Sequence, residues 1–249
     1  GNLFAYGEAL AGTLPEVNKR LKEAGSSKVY KNLLGITLGT GFGAGVVIDS
    51  RLLTGDNGCG GDVWIMRNKK YPEMIAEESV SIRAVRRVYQ ELTGKDASSL
   101  TPIYDIAEGI AEGDQQAAVR SFNELGEMAG DAIIRALNIV DGLVVIGGGV
   151  AGAVKYILPG IMNEMNRQIG TFAGASFPCL QMEVFNLSEK EAFDKFLEEK
   201  DKMVKIPFSE REVHYACHKK IGIAVSTLGA SRAVALGAYS FALSQLNIL

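Results

Sequence analysis

The sequence predicts an α/β fold, and two observations shape that prediction. Helical and buried-strand patterns alternate through the second half of the chain, the signature of helices layered on a sheet. Two apolar runs flank Gly39-Thr40-Gly41 and read as a hairpin. An antiparallel pair of that kind points away from a plain doubly wound sheet. The chain has 249 residues, enough for a sizeable core in one large domain or two small ones.

The elements follow in order. Residues 2–24 have helical spacing, with Pro15 breaking or restarting the helix. "NLLGITLG" is a buried strand and "GAGVVID" its partner. "RLLTGDNGCGGDVW" begins as a short strand and opens into a loop, since Asp56-Asn57-Gly58 is a turn signal. After Pro72 a helix is expected, with Ile82, Val85, Val88 and Tyr89 on one face. "TPIYDIAEGIAEG" gives a shorter helix. A long one follows from Gln115, capped by Asp114. "DGLVVIGGGV" is a buried strand that runs into three glycines and a further helix. "PCLQMEVFNL" reads as a strand, and Ser188 stands in cap position before a charged surface helix. The last segment, "ASRAVALGAYSFALSQL", is rich in small residues and fits a tightly packed helix.

Composition excludes several classes of function. The net charge is −3 and there is no basic stripe, so nucleic acid gains no electrostatic purchase. Cys59, Cys179 and Cys217 are odd in number, far apart and in no CxxC pair. A disulfide framework is not expected, and a reduced cytoplasmic setting fits. No run of about 18 apolar residues suggests a membrane span, and no charged-then-apolar leader opens the chain. The first residue is Gly1 rather than Met; a tag remnant, a processed end or a fragment would each account for it.

Two glycine turns carry the chemistry. The tip of the 39–43 hairpin offers backbone N–H groups and the Thr40 hydroxyl to an anion. The same glycines equally suit a hairpin that needs positive φ. A Walker loop is excluded because no Gly-Lys-Ser/Thr follows, and the dinucleotide fingerprint fails because the turn opens a strand. At Gly147, Gly148 and Gly149 a strand ends and a helix begins. Phosphates and nucleosides dock at such a sheet edge; close helix–strand packing would also call for glycine there.

The order of these pieces resembles the ROK family of sugar kinases and sugar-responsive repressors. "GNLFAYGEA" is similar to the part of the family's Asn-Asp-x-Asn-x-x-x-x-Gly-Glu segment that follows its Asn-Asp. "LGTGFGAGVVIDSRLLTGDNGCGGD" resembles the phosphate-binding hairpin plus sugar loop, and "VVIGGGV" the adenosine turn. The resemblance implies the actin-like, ribonuclease-H-like ATPase fold, with residues 1–229 as the larger lobe. The helix over residues 230–249 is then expected to pack on an N-terminal lobe. Its Ala233, Ala235, Leu236, Ala238, Phe241 and Leu243 would lack that cover here.

The implied activity is ATP- and Mg²⁺-dependent hexose phosphorylation of glucokinase type, in a cytoplasmic homodimer. The alternative is a non-catalytic sugar-binding regulator. Gly39, Thr40, Gly41 and Gly43 would hold phosphates, and Gly147, Gly148 and Gly149 the adenosine side. Gly60, Gly61, Asp62 and Glu77 would line the sugar, with Glu78 leaving a one-residue ambiguity and a plain surface carboxylate the other reading.

The chain also departs from the family pattern. The Asp-x-Gly-Gly-Thr hairpin is missing, and the general-base Asp is expected immediately before Gly1. The family's Glu and His of the sugar loop are Asp62 and Ile65, and its zinc knuckle is replaced by "MRNKKYPEMIA". No zinc is therefore expected. "HYACH", residues 214–218, is a weak metal candidate, because on a strand Cys217 would face away from His214 and His218. Cys59 has no His nearby to activate it. Trp64 reads as core before it reads as a platform for a sugar ring.

Overall fold

Strand β1 (Leu33–Leu38) and strand β2 (Phe42–Ile48) pair antiparallel, with Leu38 opposite Phe42, so the turn is residues 39–41. The computed structural model describes residues 1–198 and 201–246. β3 (Arg51–Leu52) folds back on β2. On its other side β1 lies parallel to β4 (Leu143–Gly147), which is buried along its whole length. β10 (Lys220–Val225) and β7 (Glu183–Asn186) extend the parallel part. The sheet order is β3-β2-β1-β4-β10-β7. A parallel centre needs cover on both faces, and strand alternation assigns each face its side chains.

Leu34, Ile36, Val144 and Ile146 point to one face, into a core with α5 (Gln115–Val140) and α6 (Val154–Met165). Leu33, Leu143 and Val145 point to the other, against α1 (Asn2–Ala11), α2 (Thr13–Glu23) and α7 (Lys190–Leu197). α3 (Ile82–Thr93) and α4 (Leu100–Ala107) add to the first layer. α8 (Ala230–Gln245) lies on α1 at backbone distance. A Cβ added to Gly7 would sit 1.9 Å from the Ala233 carbonyl oxygen, and one on Gly237 1.9 Å from that of Leu3. Two small hairpins stand apart from the sheet: β5 (Gln168–Gly170) with β6 (Ser176–Pro178), and β8 (Asp201–Lys205) with β9 (Glu212–Ala216).

Asp114 caps α5 as expected, accepting from the Ala117 amide at 2.9 Å. Other expectations are corrected. The first helical stretch breaks at Gly12, not at Pro15, which lies in the first turn of α2 where a missing N–H costs nothing. The helix expected after Pro72 is a loop, a 3-10 turn at Ala76–Glu78 and then α3. The strand expected at 178–187 is divided between the end of β6 and β7. Ser188 does not cap α7; Glu189 holds that position and accepts from the Asn186 side chain. α7 is not wholly a solvated helix, since Phe196 is fully buried. Ala233 is not uncovered either, but buried on α1, and Phe241 packs beside the same core. Among the described residues no helix is long and apolar enough to cross a membrane.

Candidate functional site

The β1–β2 turn presents a small set of donors. Gly39 N–H donates across the turn to the Gly41 carbonyl at 3.1 Å, and the Ile82 amide at the start of α3 donates to the Gly39 carbonyl at 3.0 Å. The turn is thereby pinned to α3. Phe42 N–H donates to Glu77 Oε2 at 3.0 Å. That leaves the Thr40 and Gly41 amides and the exposed Thr40 hydroxyl without a protein partner among the described residues. Consecutive amides at a tight turn form an anion-binding concavity.

Glu77 is held against this turn. Its Oε2 would lie 2.5 Å from a Cβ on Gly41, so only glycine allows the carboxylate this close. Among the described residues its Oε1 has a single long contact, 3.5 Å to the exposed Arg83. The geometry separates the two candidate carboxylates: Glu77 faces the hairpin, while Glu78 faces out and pairs with Arg83 at 3.3 Å.

The second glycine turn reaches the same place. Gly148 has φ +99°, and a Cβ there would lie 2.3 Å from the Leu38 carbonyl oxygen. β4 thus ends directly beside the end of β1. The result is a cavity of about 380 Å³ lined by Thr37, residues 38–43, Glu77 and Gly148. Thr37, two residues before the turn, joins the lining although no motif marks it. Gly149 opens onto a neighbouring cavity of about 280 Å³, with Thr101, Tyr104, Gly152 and Ala153 in its wall. Beside it Lys155 pairs with Glu108 at 2.7 Å, and that ammonium holds the Glu108 carboxyl below the usual carboxylate range. Gly147 does not line either cavity. It admits the Phe4 ring, 2.6 Å from where its Cβ would be.

Gly60, Gly61 and Asp62 do not line the hairpin cavity. Gly61 lies against β2 and the start of α1, where its Cβ would be 3.3 Å from Gly45 Cα and 3.4 Å from Asn2 Oδ1. That Asn2 oxygen is buried with no hydrogen-bond partner among the described residues. Gly1 also touches β2, its Cβ position only 2.1 Å from the Ala44 carbonyl oxygen. Asp62 is exposed. Its loop is tied to Glu77 through the Glu77 amide, which donates to the Trp64 carbonyl at 3.2 Å. Trp64 is 38% exposed, which corrects the core assignment. Of "HYACH", His218 Nε2 lies 2.7 Å from Glu183; the His214 side chain lies outside the described residues.

The sequence model of the ROK family matches residues 20–187. A glucokinase from Parabacteroides distasonis is 56% identical, with a TM-score of 0.90 over 98% of this chain and 67% of its own. A ROK family glucokinase from Streptomyces griseus, solved with glucose and AMPPNP, is 17% identical, with a TM-score of 0.50 over 90% of this chain and 66% of its own. A ROK family transcriptional regulator, a homologue of the Escherichia coli MLC protein, is 18% identical, with a TM-score of 0.55 over 96% and 50%. The chain therefore spans two-thirds or less of the length of these structures. A comparison with curated proteins gives no match. The glucokinase neighbours and the mainly parallel sheet establish the actin-like ATPase fold.

Proposed function

The chain belongs to the ROK family, and from that premise we propose that it is the larger lobe of an ATP-dependent hexose kinase of glucokinase type. One observation carries the reading: a single cavity gathers the 39–41 turn, Gly148 and the Glu77 carboxylate. Phosphoryl transfer asks the protein mainly for positioning and charge stabilisation. The Thr40 and Gly41 amides and the Thr40 hydroxyl would hold phosphate oxygens. Gly149 and the adjoining cavity would take the adenosine side. Glu77 would use Oε2 to keep the turn in shape and Oε1 to accept from a sugar hydroxyl. Gly60, Gly61, Asp62 and the buried Asn2 oxygen would complete the sugar side.

Mg²⁺ neutralises developing charge on the transferred phosphoryl group. Glu77 is the one carboxylate lining the hairpin cavity among the described residues, and half of it is committed to Phe42. The ion would thus be held mostly by nucleotide phosphates and water. In this reading the general base would be an Asp next to Gly1, and Gly1 itself lies against β2 beside the turn. Cytoplasmic location and a homodimer belong to the same reading; light scattering on the purified protein checks the latter.

Purified full-length protein assayed with ATP, Mg²⁺ and a panel of hexoses tests the reading. Hexose-dependent ADP release supports it, and none with any hexose overturns it. One feature favours a second reading, a sugar-binding regulator: Ile65, where the family has His, is 58% exposed and offers no hydrogen bond. Hexose binding by calorimetry without turnover selects that alternative.

A further inference from the structure

Residues 66–75 join the glycine-rich loop to Glu77, and polar side chains hold them in place. Asn68 is the hub, only 2% exposed. Its Oδ1 accepts from the Lys70 and Tyr71 amides at 2.9 and 3.0 Å, and its Nδ2 donates to Ser79 Oγ at 2.8 Å and to the Ile75 carbonyl at 3.2 Å. The turn is thus tied to both ends of the segment that carries Glu77. Two backbone bonds complete the connection: Ala76 N–H to the Met66 carbonyl at 2.7 Å, and Glu77 N–H to the Trp64 carbonyl at 3.2 Å.

The turn is staked to the helical layer by charge. Lys70 Nζ lies 2.7 Å from Glu124 on α5, and Lys69 bonds to Glu164 on α6. Both carboxylates are nearly buried, at 7% and 5% exposed. A buried carboxylate demands a partner, so the helices draw both lysines inward. Among the described residues Arg120 and Arg167 are the other cations facing these carboxylates, and both belong to the helical layer or its edge, not to the turn. The two lysines are therefore the ion-pair link between α5–α6 and the turn, and Arg135 of α5 adds a hydrogen bond to the Arg67 carbonyl at 3.2 Å. Burial pulls the Lys70 ammonium down, but the Glu124 carboxylate outweighs it and leaves its pKa above the ordinary lysine value.

We propose that Lys70, with Lys69, is a positioning residue for Glu77: the paired lysines fix the Asn68 turn, the turn fixes the 3-10 segment, and that segment sets the carboxylate on the Phe42 amide. Neither lysine lines the hairpin cavity, so the effect is transmitted through the backbone. The kinetic part of the test rests on the hexose kinase reading; the exchange part does not.

The experiment uses the full-length protein with Lys70→Met, Lys70→Arg and the double variant Lys69→Met/Lys70→Met. Hydrogen exchange at the Phe42, Ala76 and Glu77 amides is read first. The Met variants should exchange there about 10-fold faster while β4 amides keep wild-type protection. In the hexose assay, KM for the sugar should rise about 10-fold with kcat within about 3-fold of wild type, and Lys70→Arg should return KM to within about 2-fold. Wild-type exchange and wild-type KM in folded Lys70→Met overturn the proposal. If Lys70→Met does not fold, Lys70→Gln is read by the same criteria. Absence of hexose turnover in the wild type sinks the kinase reading alone, and the exchange data then decide this one.

Discussion

Thr40 and Gly148 sit at the two glycine turns, yet their substitutions should fail in different ways. Thr40 is exposed at the tip and supports nothing in the fold. Thr40→Val should leave the melting temperature unchanged and weaken ATP binding about 10-fold, the worth of one hydrogen bond to a charged group. Titration calorimetry checks this, and unchanged affinity refutes the phosphate role. Gly148 combines φ +99° with a Cβ position 2.3 Å from the Leu38 carbonyl oxygen. Gly148→Ala should cost about 2–5 kcal/mol from backbone strain and overpacking together. Urea unfolding at wild-type stability would show that the contact is not as described. A loss of ATP binding in that variant would therefore say nothing about direct nucleotide contact.

At the scale of elements, α1 joins the sheet to α8. It lies between the β1–β2 ladder and α8, and Phe4, Ala5 and Glu8 are fully buried in it. Glu8 accepts from the Thr13 amide and hydroxyl at 2.9 and 2.8 Å and from Ser226, tying α1 to the start of α2 and to the loop before α8. The α1–α8 contact admits no side chain at Gly7 or Gly237. Gly237→Leu should push α8 off α1 and destabilise by about 3 kcal/mol, with circular dichroism melts as the measurement; a variant as stable as wild type would contradict the backbone contact. The outward face of α8 keeps Val234 and Tyr239 exposed at 38% and 68%. That face is where the expected N-terminal lobe is proposed to sit.

For the whole molecule two predictions follow from the chemistry present. If the general base is the Asp proposed to precede Gly1, residues 1–249 alone show no hexose phosphorylation, since a positioned base is worth about 10²–10⁴ in rate. Turnover above background by this chain would place the base within it and overturn the assignment to a preceding Asp. The purified protein should also carry no zinc. Residues 66–75 contain no Cys or His, and the Asn68 turn is held by hydrogen bonds and lysine pairs. Elemental analysis giving one zinc per chain would contradict this.

Local pattern determined a good part of this protein. The apolar runs on either side of the glycine turn within residues 33–48, and the run at 143–147, specify strands from their own side chains, because a strand buried on both faces needs apolar residues throughout. Asp114 marks the start of α5 for an equally local reason, an unpaired amide three residues on. The tertiary structure alone decided how the turns meet. Nothing near Gly148 in sequence shows that the Leu38 carbonyl lies against it, because that contact is made by parallel strands far apart along the chain. The break at Gly12 lies where the Glu8 carboxylate accepts from the Thr13 amide and hydroxyl, and Ser226 meets that carboxylate only in the fold. Glu77 could be read as a candidate from spacing, but its grip on the Phe42 amide, and the lysines that hold it there, depend on α5 and α6 supplying buried carboxylates from elsewhere in the chain.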